Sequence, residues 1–217
     1  MRPSGLLASL LLVSAIGAAC SSGQHAASAP APAQHQTAHQ AGGSPPAAGH
    51  YPYTKADEDF MSGMIGHHAQ ALVMAGWAPS HGASSSIRTL CERIINGQQD
   101  EIATMQRWLK DRSLPVPEAT PMKMGPMDQP MMPGMLTDEQ MKDLDQARGP
   151  EFDRKFLTYM IQHHKGAVTM VNQLFGTTGA AQDEATFKMA NDISADQTTE
   201  IARMESMLRE TGDAHGT

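Results

Sequence analysis

Two pairs of adjacent histidines stand out as the residues able to do chemistry. "MIGHHAQALVMA" (64–75) contains His67 and His68, and "MIQHHKGAVTMV" (160–171) contains His163 and His164. Each pair is framed alike: Met64 and Met74 flank the first, Met160 and Met170 the second, at the same distances. Side chains three or four apart are neighbours on a helix, so imidazole and thioether converge there. A second motif also occurs twice, as Gln98, Glu101 and Met105 in "GQQDEIATM" and as Gln197, Glu200 and Met204 in "ADQTTEIARM". A lone inward histidine is usually a hydrogen-bonded core residue, and methionine at helical spacing is usually packing. The duplication argues for more, because four inward imidazoles are costly unless each finds a partner. A metal ion supplies one. Imidazole suits Zn, Cu, Fe and Ni, whereas thioether sulfur favours Cu(I).

Helices must position these groups. At about 100° per residue, Phe60, Met64, His67, Ala71 and Met74 form one stripe with His68 at its edge. Ser62, Gln70 and Val73 make a more polar opposite side, expected to face outward. Thr54 followed by Asp57 opens this helix, and Pro79 with Gly82 closes it. A second helix is expected over 85–112, with Ile87, Leu90, Cys91, Ile94, Ile102, Met105 and Leu109 on one face. Thr137 with Gln140 opens a short helix that should stop at Gly149-Pro150. Two further long helices are expected, over 151–175 and 181–210. No segment alternates with period two, so the chain reads as all-α.

The two halves are copies. Residues 60–75 align with 156–171, and 94–109 with 193–208, through identities that include both histidine pairs, both glutamines and both glutamates. Two helical hairpins that each bury one face should pack into a single four-helix bundle. Between them lies "SLPVPEATPMKMGPMDQPMMPGM", a proline-broken loop holding Met122, Met124, Met127, Met131, Met132 and Met135. Exposed methionines are unfavourable. They are explained either as thioethers that wrap a soft monovalent ion or as a hydrophobic strap laid over the bundle.

The chain has 217 residues and a formal net charge of −7, with 17 methionines and 10 histidines against 5 phenylalanines. No basic patch is visible, so nucleic acid is not an expected partner. Residues 1–19 read as a targeting segment: one arginine, a short apolar run, then small residues. The run stops at Cys20 and resembles a bacterial lipoprotein signal, in which the cysteine becomes a lipidated membrane anchor; cleavage after Ala19 and secretion is the alternative. Either way the protein is expected outside the cytoplasm. Residues 20–53 are rich in Ala, Pro, Gln, Gly and Ser and make a tether; the bundle should span 54–212, with its Met-rich loop at 113–136. With Cys20 lipidated, Cys91 stands alone; the copy has Ala190 there, which favours packing over metal ligation.

"FMSGMIGHHAQALVMA" with "IINGQQDEIATMQRWL", and "FDRKFLTYMIQHHKGAVTMV" with "ISADQTTEIARM", resemble the bacterial family known as domain of unknown function 305. The resemblance covers about residues 55–210. It implies a ferritin-like four-helix bundle, usually exported, with some members linked to copper binding and resistance. Residue by residue, it supports Met64, His67, His68, Met74, Gln98, Glu101 and Met105, with Met160, His163, His164, Met170, Gln197, Glu200 and Met204, as the metal-binding set.

Three functions compete. An extracytoplasmic copper buffer or chaperone, holding Cu(I) and also accepting Ag(I), fits the donors best, and leaves open whether a copper transporter or an oxidase is the recipient. A ferritin-like di-metal oxidase would need Glu-x-x-His on two helices. Thr104 and Arg203 occupy the places where those histidines would stand. The third is a metal-free structural or interaction bundle. No nucleophile motif or phosphate loop is present.

Overall fold

The computed structural model describes residues 52–121 and 132–213. Within them lie five helices, α1 (Lys55–Gly76), α2 (Ser85–Asp111), α3 (Asp138–Gln146), α4 (Gly149–Gly176) and α5 (Glu184–Asp213), and no strand. The four long helices form the expected bundle. The expected targeting segment, Cys20 and the expected tether up to residue 51 lie outside the described residues, as do Met122, Met124, Met127 and Met131. None of the described helices is long and apolar enough to cross a membrane.

Local chemistry fixes most of the ends. Thr54 and Asp57 form a reciprocal capping box on α1, and Thr137 and Gln140 form another on α3. Two ends differ from expectation. Gly149 and Pro150 do not stop α3, which ends at Gln146; they begin α4, where the fixed φ of proline suits the first turn. The last helix starts at Glu184 rather than 181, because Asp183 accepts from the backbone and the hydroxyl of Thr186 and so caps it.

Each hairpin packs on itself, α1 along α2 and α4 along α5, while α1 and α4 cross at the centre. The crossing is clamped reciprocally. Asp57, at the start of α1, accepts from Ala181 N at 2.6 Å in the α4–α5 turn. Asp153, its counterpart on α4, accepts from Ser84 N at 3.2 Å in the α1–α2 turn. Both carboxylates are buried. Asp57 therefore does more than cap its own helix. Two apolar clusters fill the interior on either side of the crossing. Cys91 belongs to one of them, and burial pushes its thiol up to about 12.

Candidate metal centre

The α1–α4 crossing brings the histidines together. The rings of His67 and His163 lie 3.9 Å apart between centroids and are tilted by 38°. His68 and His164 flank them at 6.3 and 6.2 Å. All four are fully buried.

Each ring is engaged through Nε2 alone. His67 donates to Pro133 O at 3.0 Å, and His163 donates to His67 O at 3.0 Å. His68 donates to Glu101 Oε2 at 2.8 Å, and His164 to Glu200 Oε2 at 2.7 Å. A carbonyl can only accept, so in His67 and His163 the proton sits on Nε2 and the lone pair on Nδ1. Burial, reinforced by the neighbouring imidazoles, pushes His67 down to about 3 and His163 well below the ordinary histidine value. Both are neutral at pH 7. The Nδ1 atoms of all four histidines are buried without a hydrogen-bond partner. Metal-bound histidines characteristically give their other N–H to a carboxylate or carbonyl, which is the pattern at every one of these rings.

The other expected residues divide. Gln98 and Gln197 are 3 % and 2 % exposed; both polar side-chain atoms of Gln98, and Oε1 of Gln197, have no partner. Glu101 and Glu200 are only half-buried and spend one oxygen each on a histidine. Met64, Met105 and Met170 fall in one apolar cluster, and Met160, Met204 and Met74 in the other. These positions exchange under the repeat, and each cluster draws methionines from both hairpins; Met61 and Met189 also lie in the first. Met135 is buried, and half-buried Met132 lies over Gly63, where an added Cβ would come within 3.3 Å of Sδ.

Residues 132–136 form a strap across the crossing, and it rests on groups that the helical pattern misplaces. Gln70 was expected to face outward. It is 4 % exposed and pairs with Leu136 through both amide atoms, accepting from N at 2.8 Å and donating to O at 3.1 Å. Gly166, its counterpart in the repeat, lets the strap touch the α4 backbone. A Cβ there would stand 2.0 Å from Pro133 O. Gly134 takes φ +77° at the same contact. This close approach is what delivers the Pro133 carbonyl to His67. One signal was present in the sequence: the repeat puts glycine opposite glutamine there, inside a helix.

Among the described residues, no three His, Cys, Asp or Glu side chains converge so as to hold an ion by themselves. A centre built here must also use thioether sulfur or the glutamine amides. Mixed imidazole and thioether donors suit a soft, low-coordinate ion. No Glu-x-x-His pair lines the interior, and each inward glutamate serves a histidine instead.

The chain is similar to several known proteins. A DUF305 protein of Streptomyces coelicolor, named for an expected secretion, is 29 % identical, covering 72 % of this chain and 94 % of its own, with a TM-score of 0.62. A DUF305 fragment from Deinococcus radiodurans is 28 % identical over 74 % and 99 %, with a TM-score of 0.63. CopM in its Cu(II)-bound form is 28 % identical over 71 % and 96 %, with a TM-score of 0.57; CopM is also known in Cu(I)-bound and Ag-bound forms. An uncharacterized protein of Acanthamoeba polyphaga mimivirus is 36 % identical over 58 residues, and this chain spans 38 % of its length. The family described as domain of unknown function (DUF305) matches residues 57–208, and the chain belongs to it.

Proposed function

We propose that this protein binds copper outside the cytoplasm, holding Cu(I) among the histidines and methionines of the bundle interior and accepting Ag(I) at the same donors. One observation carries the reading: four buried imidazoles gathered at the α1–α4 crossing, whose Nε2 atoms are engaged and whose Nδ1 atoms are not. Such nitrogens are costly to bury unless something binds them. The copper- and silver-bound forms of CopM support the choice of ion. The leader ending at Cys20 and the Streptomyces relative named for secretion support export, with Cys20 as the lipid anchor. The role is sequestration or transfer in metal homeostasis. Met122, Met124, Met127 and Met131 would add capture sites ahead of the core.

A Cu(I) titration of the mature chain against a coloured competing chelator tests this. The parent should compete, and a variant with His67, His68, His163 and His164 changed to Ala should lose at least a hundredfold in affinity. Because that variant strips four buried side chains, Met64→Leu, Met105→Leu and Met170→Leu together give a volume-conserving second arm. This arm should weaken Cu(I) binding without unfolding the bundle. Met122→Leu, Met124→Leu, Met127→Leu and Met131→Leu together, which leave the 132–136 strap in place, report the loop's share. A parent chain unable to compete for Cu(I) would leave a structural bundle as the better account.

A further inference from the structure

Among the described residues, the exposed large apolar side chains are Tyr53, Val116, Phe175 and Phe187, at 37, 44, 40 and 53 %. Tyr53 precedes α1, Val116 follows α2, Phe175 lies in the last turn of α4 and Phe187 in the first turn of α5. These four helix ends form one end of the bundle. Asp57, in the first turn of α1, holds Ala181 in the α4–α5 turn, and Trp108 and Arg112 at the end of α2 both donate to Asp183, which caps α5. The rings of Phe175 and Phe187 lie side by side, 5.7 Å between centroids. At the opposite end, where the α1–α2 turn meets the start of α4, no large apolar side chain is exposed among the described residues. Trp77 there is half-buried and stacked on His81.

Exposed apolar side chains gathered on one face and rimmed by charge mark a contact with a protein or a membrane. The rim carries both signs, Lys55, Lys110 and Lys188 beside Asp59, Asp111 and Glu184, all exposed. Charge therefore gives no attraction to anionic lipid, whereas aromatic rings beside lysine stems suit the interfacial layer of a bilayer. The chain itself brings a bilayer to this end. The 32 residues 20–51 join Cys20 to the described part, which they enter at Pro52, next to Tyr53. For the tether read from the sequence, a coil of that length would span about 30 Å r.m.s.. Helix α4, with 28 residues, is about 42 Å long. An anchor on Cys20 thus presents the aromatic end to the lipid surface at high local concentration and leaves the other end a bundle's length away.

We propose that the Phe175–Phe187 end of the bundle rests on the bilayer to which Cys20 is anchored, with the two phenylalanines seated among the headgroups and the α1–α2 turn held away from the surface. The proposal rests on the lipid-anchor reading above and adds an orientation to it. Two half-exposed rings bury too little area to hold a free protein on lipid. They act because the tether makes the encounter intramolecular. The contact leaves the bundle interior untouched, since Phe175 and Phe187 belong to neither apolar cluster.

The mature chain carries the handles for a test. Its two cysteines are Cys20 and the buried Cys91, so Cys20 is the thiol that couples to a maleimide lipid. Its two tryptophans report opposite ends, Trp108 beside Tyr53 and Trp77 beside His81. The chain is coupled to phosphatidylcholine vesicles that carry a nitroxide on the headgroup. In Trp77→Phe only Trp108 emits, and the parent less this variant gives Trp77. Trp108 should be quenched at least threefold more than Trp77. Adding Phe175→Ser and Phe187→Ser should remove most of that difference, with coupling and Tm unchanged. Equal quenching of the two tryptophans, or quenching indifferent to the phenylalanines, overturns the proposal, because the bundle then hangs free. A dimer of the uncoupled chain in sedimentation that the phenylalanine changes dissolve also overturns it, since a second copy is then the occupant. The assay supplies its own anchor, so these results bear on docking alone. Mass spectrometry that finds Cys20 of the exported protein without an acyl chain defeats the anchor reading, and the proposal with it.

Discussion

Gly166→Ala is the sharpest test of how the centre is held. In an ordinary exposed helix position this change stabilises by up to about 1 kcal/mol through helix propensity. Gly97 in α2, where an added Cβ meets nothing within 4 Å, should show that gain. At Gly166 the added Cβ would lie 2.0 Å from Pro133 O, 2.4 Å from Pro133 C and 2.5 Å from Gly134 Cα, all backbone, so the strap must lift. Lifting breaks the His67–Pro133 bond and both Gln70–Leu136 bonds, each worth about 1 kcal/mol. It also exposes Leu136, now 1 % exposed, at a cost of about 2 kcal/mol. Net of the propensity gain, the loss is about 4 kcal/mol, or roughly 8–16 °C in Tm for a domain of this size. Urea and thermal unfolding of Gly166→Ala beside Gly97→Ala should move in opposite directions. If Gly166→Ala is as stable as the parent, the strap is not seated on α4 and the account of His67 fails.

Three other outcomes follow. Acid should destabilise the metal-free protein from about pH 6.5 downward. The folded state holds His67 near 3 and His163 well below its ordinary value, so the unfolded chain binds more protons and stability falls about 1.4 kcal/mol per pH unit for each group; flat urea midpoints between pH 6.5 and 4.5 would refute this. Asp183→Ala should cost about 3–5 kcal/mol, because it leaves the nearly buried Arg112 guanidinium unpaired and Trp108 Nε1 without its acceptor; a Tm within 2 °C of the parent contradicts it. Cys91, buried and with its thiol pushed up to about 12, should resist iodoacetamide at pH 8 in the native protein and react on unfolding, as peptide mapping would show.

Periodicity and self-comparison made the helices, the hairpin duplication and the inward histidines legible, because amphipathic spacing and capping are local. Gln70, Gly166 and the 132–136 strap were not, because what decides them is contact between residues far apart in the chain, 66 positions for Gln70 with Leu136 and 33 (166 − 133) for Gly166 with Pro133. Gly149-Pro150 misled because the same dipeptide can end one helix or begin the next, and the tight α3–α4 junction chose the latter. The Asp57 and Asp153 clamps occupy equivalent places in the repeat, yet a capping role accounts for the first so well that its second bond to Ala181 stays hidden. The candidate centre was readable as a set of residue types. Which nitrogen of each ring is left over depends on partners that only the folded chain supplies.

The crossing of α1 and α4 has a consequence for origins. Each apolar cluster draws methionines from both hairpins: Met64 and Met105 with Met170, Met160 and Met204 with Met74. A solitary hairpin could never complete such a cluster. Before duplication and fusion, such a hairpin would have buried its methionines in a complete cluster only by meeting its twin, so folding and self-association would have been a single event. Fusion makes that encounter permanent, and lets the two copies differ at Gln70 and Gly166, the paired positions on which the strap rests.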